Sequence, residues 1–261
     1  MNMRSTRSGL VAAVAVFLCG GVLADNDEKA PRYVSVECMK STSPEYQGIE
    51  TGVWLPMHQE MVEQRKQERW ALYWVKYGDR SRCDYYTVTT YVGSAQLNAV
   101  PAFDEVFKVA HPRGDFTKAM VRTGASRQHV ASELWQMIDA IPSNQYRFAI
   151  VNRMNAADPD AYERMETRVF KPGHEALVDG GYRAGWAMYA LVSPLGSSIP
   201  YNYSTVDLVD NLDPVPMAEA MMSANPDRDL DALQELLALR EQVSSETWEL
   251  IAATKPRDGK K

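Results

Sequence analysis

Histidine and cysteine are scarce: four and three residues respectively in a chain of 261. No Cys-x-x-Cys or His-x-x-x-His spacing occurs, so a metal site built from neighbouring positions would be short of ligands, and none is expected. No glycine-rich loop follows a strand-like run, which argues against a phosphate cradle. No Gly-x-Ser-x-Gly elbow is present, which removes that route to a serine nucleophile. Positive charge is also short. Lys and Arg number 28 against 34 Asp and Glu, a net charge of −6. A nucleic-acid partner, which needs a basic surface, is not expected. Past residue 24 no apolar run approaches the ~18 residues of a membrane span.

The beginning of the chain reads differently. Arg4 and Arg7 precede the apolar run Leu10–Val22, and Val22-Leu23-Ala24 offers small or apolar residues at a cleavage point. Residues 1–24 are therefore read as a secretory signal peptide, and the protein as periplasmic or secreted. Cys19 follows Leu18, where a lipobox wants a small side chain, so lipidation is not expected. Removal of residues 1–24 deletes two arginines and no acid, leaving a net charge of −8. A charged leader follows at 25–32. The two cysteines beyond it, Cys38 and Cys83, are either a disulfide or two buried thiols.

The chain repeats itself. Glu50–His58 reads ETGVWLPMH, and 116 residues later Glu166–His174 reads ETRVFKPGH. Over Tyr46–Lys76 and Tyr162–Val192, ten of 31 positions are identical, His58/His174 and Trp70/Trp186 among them. RQHVASELWQMI (127–138) matches REQVSSETWELI (240–251) at six of twelve positions. The expected units are 33–143 and 147–255, with a charged tail at 256–261.

Within one unit, the β-branched alternation of 33–40 predicts a strand. Ser43-Pro44 opens a helix, as Asp158-Pro159 does in the second copy. Pro56 and Pro172 predict a kink or break in those helices. Residues 70–77 and 83–92 form a hairpin, and a long helical region over 103–141 closes the unit as β-α-β-β-α. Strand 70–77 is apolar on both faces, so each sheet needs cover on both sides. Helices supply one cover, and the sheet of the other copy supplies the second.

Two such units joined sheet to sheet resemble the dimeric α+β barrel superfamily, fused here into one ferredoxin-like, pseudo-twofold chain. The pattern Glu-x3-aromatic-x-Pro-x-His, followed by a tryptophan opening the next strand, looks like the NIPSNAP, EthD and Dabb neighbourhood of that superfamily. The resemblance implies an α+β fold and a monomeric pseudo-dimer. It also implies that strand three lies antiparallel beside strand one. That would bring Cys38 and Cys83 within bonding distance.

Candidate binding residues are His58 and His174, placed by helical spacing on the inward stripe, with Glu50, Glu166, Tyr46 and Tyr162 on the same helices. Tyr73 and Tyr189 add strand hydroxyls. An inward imidazole is a base, a ligand or a polar contact, and equally a core histidine satisfied by its neighbours. Glu133, Glu246, Arg127 and Arg240 are read as salt-bridging residues of a later helix, and Trp135 and Trp248 as core aromatics. The expected function is binding of a small organic ligand in a helix–sheet cleft of each unit, with cofactor-independent catalysis open. No cofactor is expected, haem being the alternative that the resemblance admits. The competing reading is a non-catalytic envelope protein that uses the duplicated barrel as a scaffold.

Overall fold

Side-chain alternation decides the strands. In the computed structural model, which describes residues 30–143 and 145–257, Val34, Val36 and Cys38 of β1 (Arg32–Ser41) point to one interior. Ala71, Tyr73 and Val75 of β2 (Arg69–Tyr77) point to the same one. Trp70 and Leu72 face the other way and are equally buried, at 1% and 0% exposure. The expectation of strands covered on both faces holds, but the cover on the inner side is a closed cylinder.

The remaining strands are β3 (Tyr85–Val92), β4 (Arg127–Ile141), β5 (Phe148–Asn155), β6 (Gly185–Ser193), β7 (Tyr203–Val209) and β8 (Glu241–Ala253). All eight pair antiparallel in the closed order β1-β3-β2-β8-β5-β7-β6-β4. Closure leaves no sheet edge. Eight strands give an interior wide enough for side chains or one small ligand. The signal peptide expected at 1–24 lies outside the described residues, as do most of the leader and of the tail.

Closure depends on β4 and β8. β4 pairs with β1 through Arg127–Gln136 and with β6 through Leu134–Ile141. β8 pairs likewise with β5 and then with β2. Every ladder involving these two strands carries a register shift, and the other four run without one. Such irregularities bend a strand and increase its twist, as closure requires. These are the segments expected to be helical. Their Ala, Glu, Leu, Gln and Met content favours helix, yet buried Glu133 and Trp135 alternate with less buried neighbours at period two. Pairing on both sides overrides the weak propensity. The expected α+β class, with two ferredoxin-like β-α-β-β-α units packed sheet to sheet, is thereby corrected. The fold is one closed antiparallel β-barrel with helices outside it, completed only when β4 and β8 cross between the halves.

The helices pack on the outer face. α1 (Tyr46–Ile49) and α2 (Leu55–Glu63) are joined without a break by a π-helical turn, Glu50–Trp54. α6 (Pro159–Met165) and α7 (Lys171–Asp179) are joined by the same device, Glu166–Phe170. The kinks expected at Pro56 and Pro172 are replaced by these wide turns. Each turn ends just before its proline, so the helix continues although the ring supplies no donor. Asp158 caps α6 through the Ala161 amide at 3.0 Å. The rest of the outer layer is α3 (Gly93–Asn98), α4 (Phe103–Ala110) and α5 (Phe116–Ser126) in one half, α8 (Met217–Ala224) and α9 (Leu230–Leu236) in the other. No helix among the described residues is long and apolar enough to cross a membrane.

Cys38 and Cys83 form a disulfide, with Cα atoms 5.6 Å apart. Cys38 lies opposite Tyr86 in the β1–β3 ladder, which brings Cys83, two residues ahead of β3, close to it.

Candidate ligand site in the barrel lumen

The inward faces enclose a cavity of about 970 Å³. Its walls are mostly small and apolar: Val34, Val36, Ala71, Val88, Ala149, Val151 and Val206. Small residues at the middle of several strands leave the space that larger ones would fill. Trp135 and Trp248 supply flat aromatic wall.

One end is closed by a buried charge cluster. Arg153 extends inward from β5, two positions beyond Val151, and is 7% exposed. Its Nη2 donates to Glu133 Oε2 at 3.2 Å, and its Nη1 lies 3.9 Å from Glu246 Oε2. The same carboxylates accept from the tryptophans two residues on: Trp135 Nε1 to Glu133 at 3.1 Å and Trp248 Nε1 to Glu246 at 2.9 Å. Tyr201 Oη donates to the other oxygen of Glu133. The guanidinium also lies over Tyr201, Trp248 and Tyr86, at 5.2, 5.9 and 6.0 Å from their centroids. Burial alone would lower the Arg153 pKa; the adjacent Glu133 carboxylate reverses this and raises it, so the arginine stays charged. Its Nε is buried without a hydrogen-bond partner.

Toward the opposite end, Tyr73 Oη and Tyr146 Oη are 2.6 Å apart. The Arg69 guanidinium lies 5.4 Å over the Tyr146 ring, and Tyr189 lines the same region. Burial, reinforced by Tyr146, raises the pKa of Tyr73, and burial does the same for Tyr189. Both act as neutral hydroxyls, not phenolates.

Of the residues singled out from sequence, Tyr73 and Tyr189 meet in this lumen, and the other six do not line it. His58 lies flat on Trp70, with ring centroids 4.9 Å apart, and its Nδ1 is 3.2 Å from Gln67 Oε1. His174 lies on Trp186 at the same separation and is held at Nδ1 by Arg183, which pairs with Asp207 at 2.7 Å. Glu50 is buried beside Tyr46 and Arg127. Glu166 is buried beside Tyr162, with Arg240 Nε 3.6 Å away. All six occupy the layer between helices and barrel. Sequence reasoning missed Arg153 and Tyr146 as site residues. Arg153 had a signal, a cation at an inward position of the apolar strand FAIVNRMN. Glu133 and Glu246 were assigned to a helix surface because β4 and β8 were read as helix.

The helix layer holds four groups whose pKa values burial shifts strongly. Burial raises Glu50 and Glu166 from 4.5 to about 7 despite Arg127 and Arg240. Burial lowers His58 from 6.5 to about 4, and burial with the Arg183 charge lowers His174 to about 3. Between pH 4.5 and 6.5 the folded glutamates hold protons that the unfolded chain has lost, so they add stability as pH falls. Over the same window the unfolded histidines take up protons that the folded ones refuse, so they remove stability as pH falls. The two effects oppose. The wild type should vary by less than about 1 kcal/mol from these four groups, whereas Glu50→Gln/Glu166→Gln should lose on the order of 4 kcal/mol between pH 6.5 and 4.5. Urea denaturation at the two pH values measures both, and equal slopes in the two proteins would contradict the assignment.

The two other histidines lie away from the lumen. Glu37 and Ser132 both approach His129 Nε2, at 2.8 and 3.2 Å, on the outer barrel surface. With acid and hydroxyl on one nitrogen, the imidazole cannot relay a proton between them. A surface groove of about 540 Å³ runs between the first π-helical turn and α4–α5. Its imidazole, His111, is already bonded through Nε2 to the Val53 carbonyl at 2.8 Å. Among the described residues no cluster of His, Cys, Asp and Glu could hold a metal ion.

No family model matches the chain, and no curated protein matches it. Solved structures do. A monooxygenase candidate from Fusobacterium nucleatum superimposes with a TM-score of 0.51 at 9% identity, covering 87% of this chain and 95% of that one. An anthrone oxidase-like protein gives 0.46 at 12% identity, with 90% and 97% covered. A mutant chlorite dismutase from Candidatus Nitrospira defluvii gives 0.47 at 10%, with 87% and 95% covered. At such identities the likeness is one of fold, and only the first score is high enough to carry it. The chain is a closed-barrel protein similar in fold to that monooxygenase candidate. This replaces the NIPSNAP, EthD and Dabb resemblance read from the sequence.

Proposed function

We propose that the protein binds one small, largely apolar organic molecule inside the barrel, not in a helix–sheet cleft of each half. The observation that carries this is the lumen itself: about 970 Å³, small apolar walls, two tryptophans and tyrosine hydroxyls. A few placed polar groups on an apolar surface are what a ligand pocket offers. Binding is favoured over catalysis by the lining. It contains no histidine, and Cys38 and Cys83 are spent in the disulfide. The lumen carboxylates Glu133 and Glu246 are engaged with Arg153 and the tryptophans.

Haem is the alternative cofactor. His58 and His174, the imidazoles available to it in the helix layer, are each stacked on a tryptophan and engaged at Nδ1. Nε2 is the nitrogen each has left to hold iron, and neither ring lines the lumen. A Soret band in the purified protein would favour haem over the lumen ligand. We also propose export. Its support is the apolar run Leu10–Val22 behind two arginines and the disulfide beyond it; amino-terminal sequencing of the protein from its native host tests it, with cleavage after Ala24 expected.

The neutral dye N-phenyl-1-naphthylamine tests the site. It should bind with a stoichiometry of about one, with energy transfer from Trp135 and Trp248. Val151→Trp, which fills the lumen, should weaken binding about tenfold or more. Undiminished binding by a folded Val151→Trp protein would sink the proposal.

A further inference from the structure

The halves of this chain carry the same helices with opposite outer surfaces. His111, which ends α4, donates through Nε2 to the Val53 carbonyl at 2.8 Å, and Asn225, which ends α8, donates to the Val169 carbonyl at 3.0 Å. Asp115 caps α5 through the Lys118 amide at 2.9 Å, as Asp229 caps α9 through the Ala232 amide at 2.8 Å. These anchors set residues 111–122 over 225–236 position by position.

The packing then differs in two places. Leu233 is 4% exposed, in a buried cluster with Phe170 and Met221. Its counterpart in α5 is Ala119, which with Ile49, Val53, Phe107 and Ala110 lines the open groove of about 540 Å³. Conversely, Phe116 packs edge-on against Trp54 and Phe107, whereas its counterpart in α9, Leu230, is 40% exposed. The first half has an apolar hollow and the second an apolar knob.

Charge divides the same way. Around the hollow, Arg113, Lys118 and Arg122 stand against Asp115. Arg122 pairs with Glu45 at 3.1 Å, and Arg113 and Lys118 enter no ion pair among the described residues. In the second half those three positions hold Asp227, Ala232 and Leu236. About the knob, Asp227, Asp229, Asp231 and Glu235 are exposed against one cation, Arg228, and none of these enters an ion pair among the described residues. A chain of net charge −6 thus carries a basic hollow in one half and an acidic knob in the other. Each half builds its caps and helix contacts without the other's surface, so the helix layer itself demands neither.

We propose that the hollow of one copy of this chain takes the knob of a second copy, with Leu230 against Ile49, Val53 and Phe107 and the acids beside it facing Arg113 and Lys118. An apolar side chain seated in a pocket anchors an interface. Opposite charge around it steers encounter and fixes the pairing. Each copy carries both sides of the contact. This association is independent of what the lumen binds.

Sedimentation velocity of the purified exported protein at low salt, over a concentration range of about a hundredfold, tests it. The expected result is reversible association, weakened about tenfold or more by Arg113→Glu/Lys118→Glu and equally by Asp227→Lys/Asp231→Lys. An equimolar mixture of the two variants should associate again, because each presents the charge that the other lacks. Ala119→Leu, which gives α5 the residue α9 carries, should weaken association by a like factor without touching a charge, and it keeps the test open should a reversal not fold. A wild type that stays monomeric throughout overturns the proposal. In that case 8-anilinonaphthalene-1-sulfonate bound by the monomer and lost in Ala119→Leu would give the groove to a small anion instead. Association that survives Ala119→Leu and both reversals also overturns it, since the contact would then lie elsewhere.

Discussion

Replacing Arg153 with methionine should destabilise the fold by about 3–5 kcal/mol. The guanidinium is nearly enclosed, and its removal leaves Glu133 and Glu246 facing each other in an apolar lumen without their cation. Two carboxylates that have lost both water and partner cost far more than an exposed pair would. Lowering the pH should recover part of the loss, because a neutral carboxyl is cheaper to bury. The variant Arg153→Met/Glu133→Gln/Glu246→Gln should recover most of it, because a buried ion cluster is often no more stabilising than neutral groups of like shape. The amides still accept from Trp135 and Trp248. Guanidinium chloride would mask an ionic effect, so urea denaturation is the measurement. A single variant as stable as the wild type would show that the cluster is solvated and not a sealed floor.

The second large effect is expected from Cys38→Ala/Cys83→Ala, at about 4 kcal/mol. The bond joins residues 45 apart in sequence. Closing a loop of that length removes roughly this much conformational free energy from the unfolded chain. The bond also occupies a structural position opposite Arg153. Cys38 follows Val34 and Val36 along β1 as Arg153 follows Ala149 and Val151 along β5. One side of the barrel is tied by a covalent bond and the other by an ion cluster, so the two losses should be separable. Free-thiol titration of the native protein should find neither cysteine. A double variant within 1 kcal/mol of the wild type would contradict the entropic account.

Much of the framework was legible because local chemistry dictated it. Alternation in 33–40 and the short apolar run 70–77 marked β1 and β2 to within a residue at each end. Asp158 and Pro159 marked the start of α6. The site was less legible. Arg153 looked unremarkable until β5 was seen to point it inward beside two glutamates, and those glutamates lay on segments read as helix. Their helix-favouring composition was outweighed by ladders with β1, β6, β5 and β2, partners far off in sequence. Pro56 misled for a similar reason: the backbone absorbs it by widening one turn, a response no composition displays.

Local sequence was enough to mark β1, β2 and β3, the cap that starts α6 and the absence of close-spaced metal or phosphate motifs, because each is a matter of residues within about ten positions of one another. Tertiary structure alone decided that β4 and β8 are strands, that the sheet closes, and that Arg153, Tyr73, Tyr146 and Tyr189 share one lumen while His58 and His174 stack on tryptophans outside it. Those outcomes depend on long-range pairing and on which face of a strand ends up inside. The free energy that settles them arises from burying groups brought together from distant parts of the chain.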